Sequence, residues 1–242
     1  MHPPILLFDF DGVILTQRGL EYTALLQLRK KFYNWQNTEK MRLIDFTLLF
    51  ERSDSSSRLK SLLRIYRVYS FFIPRIWKRT LFFLRFNRDY RRFEKIYDTL
   101  KPGLEAVLIK LREKGIPLAI ISNTEKRRLK YFKHKLQLKK YFSFFITRDD
   151  VHINKPHPYP LLIALKKIKQ EFNFKSIEKS NVYFIGDLPT DVKCAKSAGV
   201  NSIALLSGHG TEKSLTRSNP TFILEDIKDL LNLECFKKLL LE

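Results

Sequence analysis

Three short apolar runs, each closed by a polar cluster, constrain the fold of this 242-residue chain more than any other feature. The first is Ile5-Leu6-Leu7-Phe8, followed by Asp9-Phe10-Asp11-Gly12. The second, Pro117-Leu118-Ala119-Ile120-Ile121, ends in Ser122-Asn123. The third, Val182-Tyr183-Phe184-Ile185, ends in Gly186-Asp187-Leu188-Pro189-Thr190-Asp191. A strand with one wet face alternates apolar and polar residues, whereas a short unbroken apolar run suits a strand covered on both faces of a parallel sheet. Open parallel sheets place their ligands beyond the carboxyl ends of the strands, which is where Asp9 and Asp11 emerge. Carboxylates there are costly unless they meet a cation or do chemistry. Each run taken singly also fits a solvated turn or a helix cap.

Between and after these runs the pattern alternates. Helical spacing covers 104–114, 125–136, 158–170 and 190–198, and strand-like segments cover 117–122, 144–146, 182–186 and 201–206. Helix followed by strand at this spacing predicts right-handed βαβ units and one parallel sheet. Residues 17–98 break the pattern. They hold no strand-like run ending in Gly or Asp, but they repeat helical spacing, as in Tyr22, Leu25, Leu26 and Leu28. Ser53-Asp54-Ser55-Ser56-Ser57 reads as a polar break, and Pro74 has to begin or interrupt a helix. The expected organisation is an α/β core from 1–16 and 99–242, with a helical insert at 17–98.

A fourth segment, Asn154-Lys155-Pro156-His157-Pro158, fixes a lysine between turn-forming residues. In this order the four segments resemble the haloacid dehalogenase superfamily on its phosphatase branch. The stretches 102–123 and 186–199 look most like phosphoglycolate phosphatases. The resemblance implies a Rossmann-like α/β core with a helical cap domain inserted at 17–98. It also implies Asp9 as nucleophile, forming an aspartyl-phosphate, and Asp11 as general acid and then base. Ser122 and the Asn123 backbone amide are expected to bind the phosphoryl oxygens, and Lys155 to neutralise them. The implied cofactor is Mg²⁺, held by Asp9, the Asp11 backbone carbonyl and Asp187, with Asp191 acting directly or through a metal-bound water, a set of hard oxygen ligands. Members that dehalogenate need no acid at the Asp11 position, so its presence points to phosphate chemistry. Two departures stand out: Val13 where threonine is frequent, and Thr16-Gln17 where close relatives carry an acidic residue and serine. The second puts the substrate in doubt and leaves the reaction type untouched.

Charge is the compositional outlier: 45 Lys and Arg against 25 Asp and Glu give a formal +20. That balance favours anionic partners. A small phosphorylated metabolite is the expected one, with nucleic acid or an acidic membrane surface as alternatives. Arg75, Lys78 and Arg79, and again Arg88, Arg91 and Arg92, share helix faces and are interleaved with Trp77, Leu81, Phe82, Phe83, Leu84 and Phe86. They read as a solvated basic face over an aromatic core side. The competing functions are a sugar-phosphate mutase on the same core, and a basic-cap protein that binds acidic lipid or nucleic acid. No run reaches the roughly 18 uncharged apolar residues of a membrane span, and Met1-His2-Pro3-Pro4 lacks a signal-peptide pattern, so a cytoplasmic location is expected. Cys194 and Cys235 read as two buried thiols, with a disulfide between them as the alternative. His152 and His157 flank Lys155 without the spacing of a helical ligand pair. Ser207-Gly208-His209-Gly210 reads as a turn, from which His209 could reach the cleft edge.

Overall fold

The computed structural model describes residues 2–16, 18 and 76–241. The chain divides into two compact units, Met1–Leu15 with Leu100–Glu242, and Thr16–Thr99. In the first unit the strands β1 (Ile5–Phe8), β2 (Leu118–Ile121), β3 (Phe144–Ile146), β4 (Val182–Gly186), β5 (Asn201–Leu205) and β6 (Phe222–Leu224) form one sheet. Its order is β3-β2-β1-β4-β5-β6, and every pairing is parallel. The chain builds outward from β1 to β3, then crosses back to lay β4 on the other side of β1. The resulting switch point lies between β1 and β4.

The unbroken apolar runs are explained by this topology. Side chains along a strand alternate between faces, and here both faces are covered. Leu6, Phe8, Leu118, Ile120, Tyr183 and Ile185 point into one core, with Leu104, Leu108 and Leu111 of α2 (Leu104–Glu113) and Leu129 and Phe132 of α3 (Lys126–Lys135). Ile5, Leu7, Ala119, Ile121, Val182 and Phe184 point into the other. They meet Leu161, Ala164 and Ile168 of α4 (Tyr159–Glu171) and Cys194, Ala195 and Ala198 of α5 (Pro189–Ala198). The predicted helices and strands of this unit lie within a residue or two of those observed. Among the described residues α6 (Glu212–Ser218), β6 and α7 (Glu234–Leu241) go beyond the elements expected from sequence, as do several short 3-10 turns.

In the second unit the described helix is α1 (Ile76–Tyr97). Arg88, Arg91 and Arg92 are exposed, as a solvated basic face requires, but Leu81, Leu84 and Ile96 are exposed too. Gln17, the segment 19–74 with its polar break and Pro74, and Arg75 lie outside the described residues, as do the side chains of Trp77, Lys78, Arg79, Phe82 and Phe83. The ends of the excursion are stitched together: the Thr16 N–H donates to the Thr99 carbonyl at 2.8 Å, and the Thr99 N–H donates to Thr16 Oγ1 at 2.9 Å. No helix among the described residues is long and apolar enough to cross a membrane. Both cysteines are free; Cys194 is buried as expected, but Cys235 is exposed. The reason is local: α7 turns the neighbouring Phe236 inward, onto the Tyr183 ring at 5.0 Å, which directs Cys235 away from the core.

Candidate active site

Parallel register brings the ends of β1, β2 and β4 to one edge. Phe8 pairs with both Ile120 and Ile185, so Asp9, Ser122 and Asp187 leave the sheet together. The Asp9 N–H still donates to the Ile185 carbonyl at 2.8 Å, which ties the residue to the sheet. Its Oδ1 accepts from the Phe10 N–H at 2.7 Å. Lys155 arrives from the loop before α4, and its Nζ lies 2.8 Å from Asp9 Oδ1 and 2.6 Å from Asp191 Oδ1. Asp9, Lys155, Asp187 and Asp191 are all buried.

Each member is held by its neighbours. Asn123 clasps the Lys155 backbone in both directions: its Nδ2 donates to the Lys155 carbonyl at 3.0 Å, and its Oδ1 accepts the Lys155 N–H at 3.1 Å. Its side chain thus fixes the lysine loop. Ser122 Oγ accepts from the Thr124 N–H at 3.2 Å, which leaves its own proton for another acceptor. Asp191 stands in the first turn of α5, two residues after Pro189, and its Oδ2 accepts the N–H groups of Asp187 at 3.3 Å and Leu188 at 3.1 Å. The capping role and the site role proposed for this residue coexist, one on each oxygen.

Three clustered carboxylates, two of them paired with one ammonium, leave an excess of negative charge. Burial pushes Asp9 up to about 8, against the pull of Lys155 and with Asp191 and Asp187 adding to the rise. Asp191 is raised as well, again chiefly by burial. Burial alone would lower Lys155, but Asp191 and Asp9 outweigh it and hold the ammonium above its ordinary value. One oxygen from each of Asp9, Asp187 and Asp191 falls within 4.8 Å of the others. Asp187 Oδ1 is buried and has no hydrogen-bond partner. An unpartnered buried carboxylate oxygen among like charges fits a hard cation, so the residues present suit Mg²⁺. Because Asp191 spends one oxygen on Lys155 and the other on the backbone, Asp9 and Asp187 are better placed as direct ligands.

Two further residues enter the site: Arg128, which the sequence does not single out, and His209, which it puts in a turn within reach of the cleft edge. Arg128 Nη1 lies 2.7 and 2.9 Å from the two Asp11 oxygens and 3.0 Å from Thr124 Oγ1. The legible hint was its position in the first turn of α3, where a cation opposes the helix dipole and needs an anion nearby. His209 sits in a turn after β5 as expected, and the turn carries it into the cleft. Its backbone N–H donates to Asp187 Oδ2 at 2.8 Å, and its Nδ1 lies 2.6 Å from the same oxygen. Asp187 holds His209 above its ordinary value against the opposing effect of burial. Gly12 makes room for this meeting. It has φ +75°, and a Cβ there would collide with Asp187 Oδ2 and come within 2.6 Å of His209 Nδ1. His152 and His157 are exposed and stay out of the cluster.

A sequence profile described as haloacid dehalogenase-like hydrolase matches residues 6–205, most of the chain. This protein belongs to that family. The chain is 32% identical over 146 residues to a phosphoglycolate phosphatase of Escherichia coli K12, a match spanning 60% of this chain and 55% of that enzyme. It is 28% identical over 164 residues to one of Photorhabdus laumondii, spanning 64% and 67%. The chain therefore spans little more than half the length of the E. coli relative. Among solved structures, a HAD-superfamily hydrolase of subfamily IA from Geobacter sulfurreducens superimposes with a TM-score of 0.65 at 20% identity, covering 95% of both chains. A hydrolase from Pseudomonas syringae gives 0.64 at 22%, covering 95% and 96%. These likenesses establish the fold. The haloacid dehalogenase-like hydrolase described here thus carries a buried Asp–Lys–Asp centre at the switch point of its sheet.

Proposed function

We propose that this protein is a Mg²⁺-dependent phosphomonoesterase for a small phosphorylated metabolite, with phosphoglycolate as the leading candidate. The observation that carries this reading is the buried group of Asp9, Asp187 and Asp191, with Lys155 paired to Asp9 and Asp191 and with Asp11 standing outside it on the adjoining loop. The names of the similar phosphatases favour the same substrate class. Asp9 is the residue on the central strand, and its carboxylate attacks phosphorus while the bond to the leaving oxygen breaks. Asp11 gives that oxygen a proton. It then takes a proton from the water that attacks the aspartyl-phosphate, the bond to Asp9 breaks, and phosphate and the Asp9 carboxylate are restored.

Lys155 and the Ser122 hydroxyl offset charge on the phosphoryl oxygens, and Asn123 keeps Lys155 in place. Asp9 and Asp187, with the Asp11 carbonyl and Asp191, would hold Mg²⁺, which when bound supplies positive charge to the phosphoryl group and to the crowded carboxylates. The test is phosphate release from an aryl phosphate with Mg²⁺ and with a chelator. Release is expected only with the metal, and Asp9→Asn should lower it by several orders of magnitude. Turnover near that of the unmodified protein in Asp9→Asn would refute the assignment.

A further inference from the structure

We infer that His209 is a positioning residue that ties up one oxygen of Asp187, so that this carboxylate meets the metal through Oδ1 alone and the centre prefers Mg²⁺ to the larger Ca²⁺. The inference rests on the metal site of the reading above and concerns which cation that site selects. Its starting point is the unequal surroundings of the two Asp187 oxygens. Oδ2 receives the His209 N–H at 2.8 Å and lies 2.6 Å from His209 Nδ1. Oδ1 is buried and meets no hydrogen-bond partner among the described residues. An ionised carboxylate only accepts, so the ring contact requires the proton on Nδ1.

The turn that carries His209 is shaped around this carboxylate. The Gly210 N–H donates to the Asp187 carbonyl at 2.9 Å, so the turn is bound to the backbone of the residue whose side chain the ring holds. A Cβ at Gly208 would overlap Asp187 Cβ and Oδ2, and one at Gly12 would overlap Oδ2 from the other loop. Backbone thus closes on the Oδ2 side from two loops, and the carboxylate cannot turn without giving up both donors. This bears on the choice of cation. Mg²⁺ demands a compact, near-octahedral set of ligands, whereas Ca²⁺ accepts a larger and looser set that often includes both oxygens of one carboxylate. A carboxylate with one oxygen already committed suits the first ion and withholds a ligand from the second. Outer partners that orient a metal ligand typically change metal affinity by about 10–100-fold.

Calorimetric titrations of the metal-free full chain with MgCl₂ and with CaCl₂ give the two dissociation constants for the unmodified protein and for His209→Ala, His209→Asn and His209→Gln. The unmodified protein should bind Mg²⁺ more tightly than Ca²⁺. His209→Ala should weaken Mg²⁺ binding by roughly tenfold or more and Ca²⁺ binding by less, so the preference falls. The amide of His209→Asn can stand where Nδ1–H stands and should restore most of the preference. His209→Gln carries its amide one bond further out and should not. The comparison of these two variants carries the test if His209→Ala does not fold. An unchanged ratio of the two constants in the variants, even with both affinities lowered, would show that His209 only braces its turn and would overturn the inference. So would an unmodified protein that binds Ca²⁺ as tightly as Mg²⁺, with the metal site left standing in both cases. No Mg²⁺ binding by the unmodified protein, or binding undiminished in Asp187→Asn, would remove the metal site and this inference together.

Discussion

Replacing Gly12 by alanine tests whether the Asp187–His209 contact is held as tightly as the geometry requires. Gly115 provides the control, because both glycines have positive φ, +75° and +66°, but only Gly12 is crowded. A Cβ at Gly115 meets nothing within 4 Å, so Gly115→Ala loses only the left-handed backbone preference, about 1 kcal/mol. At Gly12 the same backbone cost applies, and the new methyl group overlaps Asp187 Oδ2. That oxygen is fully buried and receives the His209 N–H at 2.8 Å and faces its Nδ1 at 2.6 Å. The carboxylate can retreat only by giving up these contacts, and hydrogen bonds to charged groups contribute about 1.5–3 kcal/mol each. The expected loss for Gly12→Ala is therefore about 4–7 kcal/mol. At roughly 2–4 °C per kcal/mol for a chain of this size, thermal unfolding should drop by about 2–4 °C in Gly115→Ala and by at least ~8 °C in Gly12→Ala. Phosphate release by Gly12→Ala should fall as well, since Asp187 is displaced. Equal melting shifts in the two variants would show that the loop yields freely and would refute the tight-contact reasoning.

Asp11→Asn should cost more turnover on an alkyl phosphate than on an activated aryl phosphate, because a poor leaving group depends more on a proton donor; equal losses in steady-state assays would speak against Asp11 as the acid. Metal-free protein should lose stability as pH rises from about 4 toward 8. Asp9, pushed up to about 8, and Asp191, also raised by burial, bind protons more tightly folded than unfolded, and raised His209 adds to the loss as pH climbs through its folded value. Melting temperatures in chelator at pH 5 and pH 8 check this, and Mg²⁺ should flatten the slope; a metal-free protein that is more stable at pH 8 would contradict the charge excess at the site.

What the sequence determined by itself is the sheet and the edge on which chemistry is placed. Ile5–Phe8, Leu118–Ile121 and Val182–Gly186 are legible because burial on both faces demands unbroken apolar runs, and the polar residue that ends each run marks the strand's carboxyl end. The segment after 206 was less legible. Phe222–Leu224 is a three-residue edge strand with Ile223 exposed, too short for its pattern to stand out. Local pattern also placed Asp191 in a first turn and Lys155 in a rigid loop. Only the tertiary structure decided who meets whom. Arg128 lies 117 residues from Asp11, and His209 lies 22 from Asp187. Those pairs depend on the parallel register that aligns β1, β2 and β4, and on turns such as the one at Gly12 that aim side chains once the strands have ended. A lysine-rich and arginine-rich chain carries many residues that look like Arg128, and hydrophobic periodicity says nothing about which of them finds an anion across the fold. Side-chain pairing across loops is set by distances in space, and those exist only after the sheet has closed around its two cores.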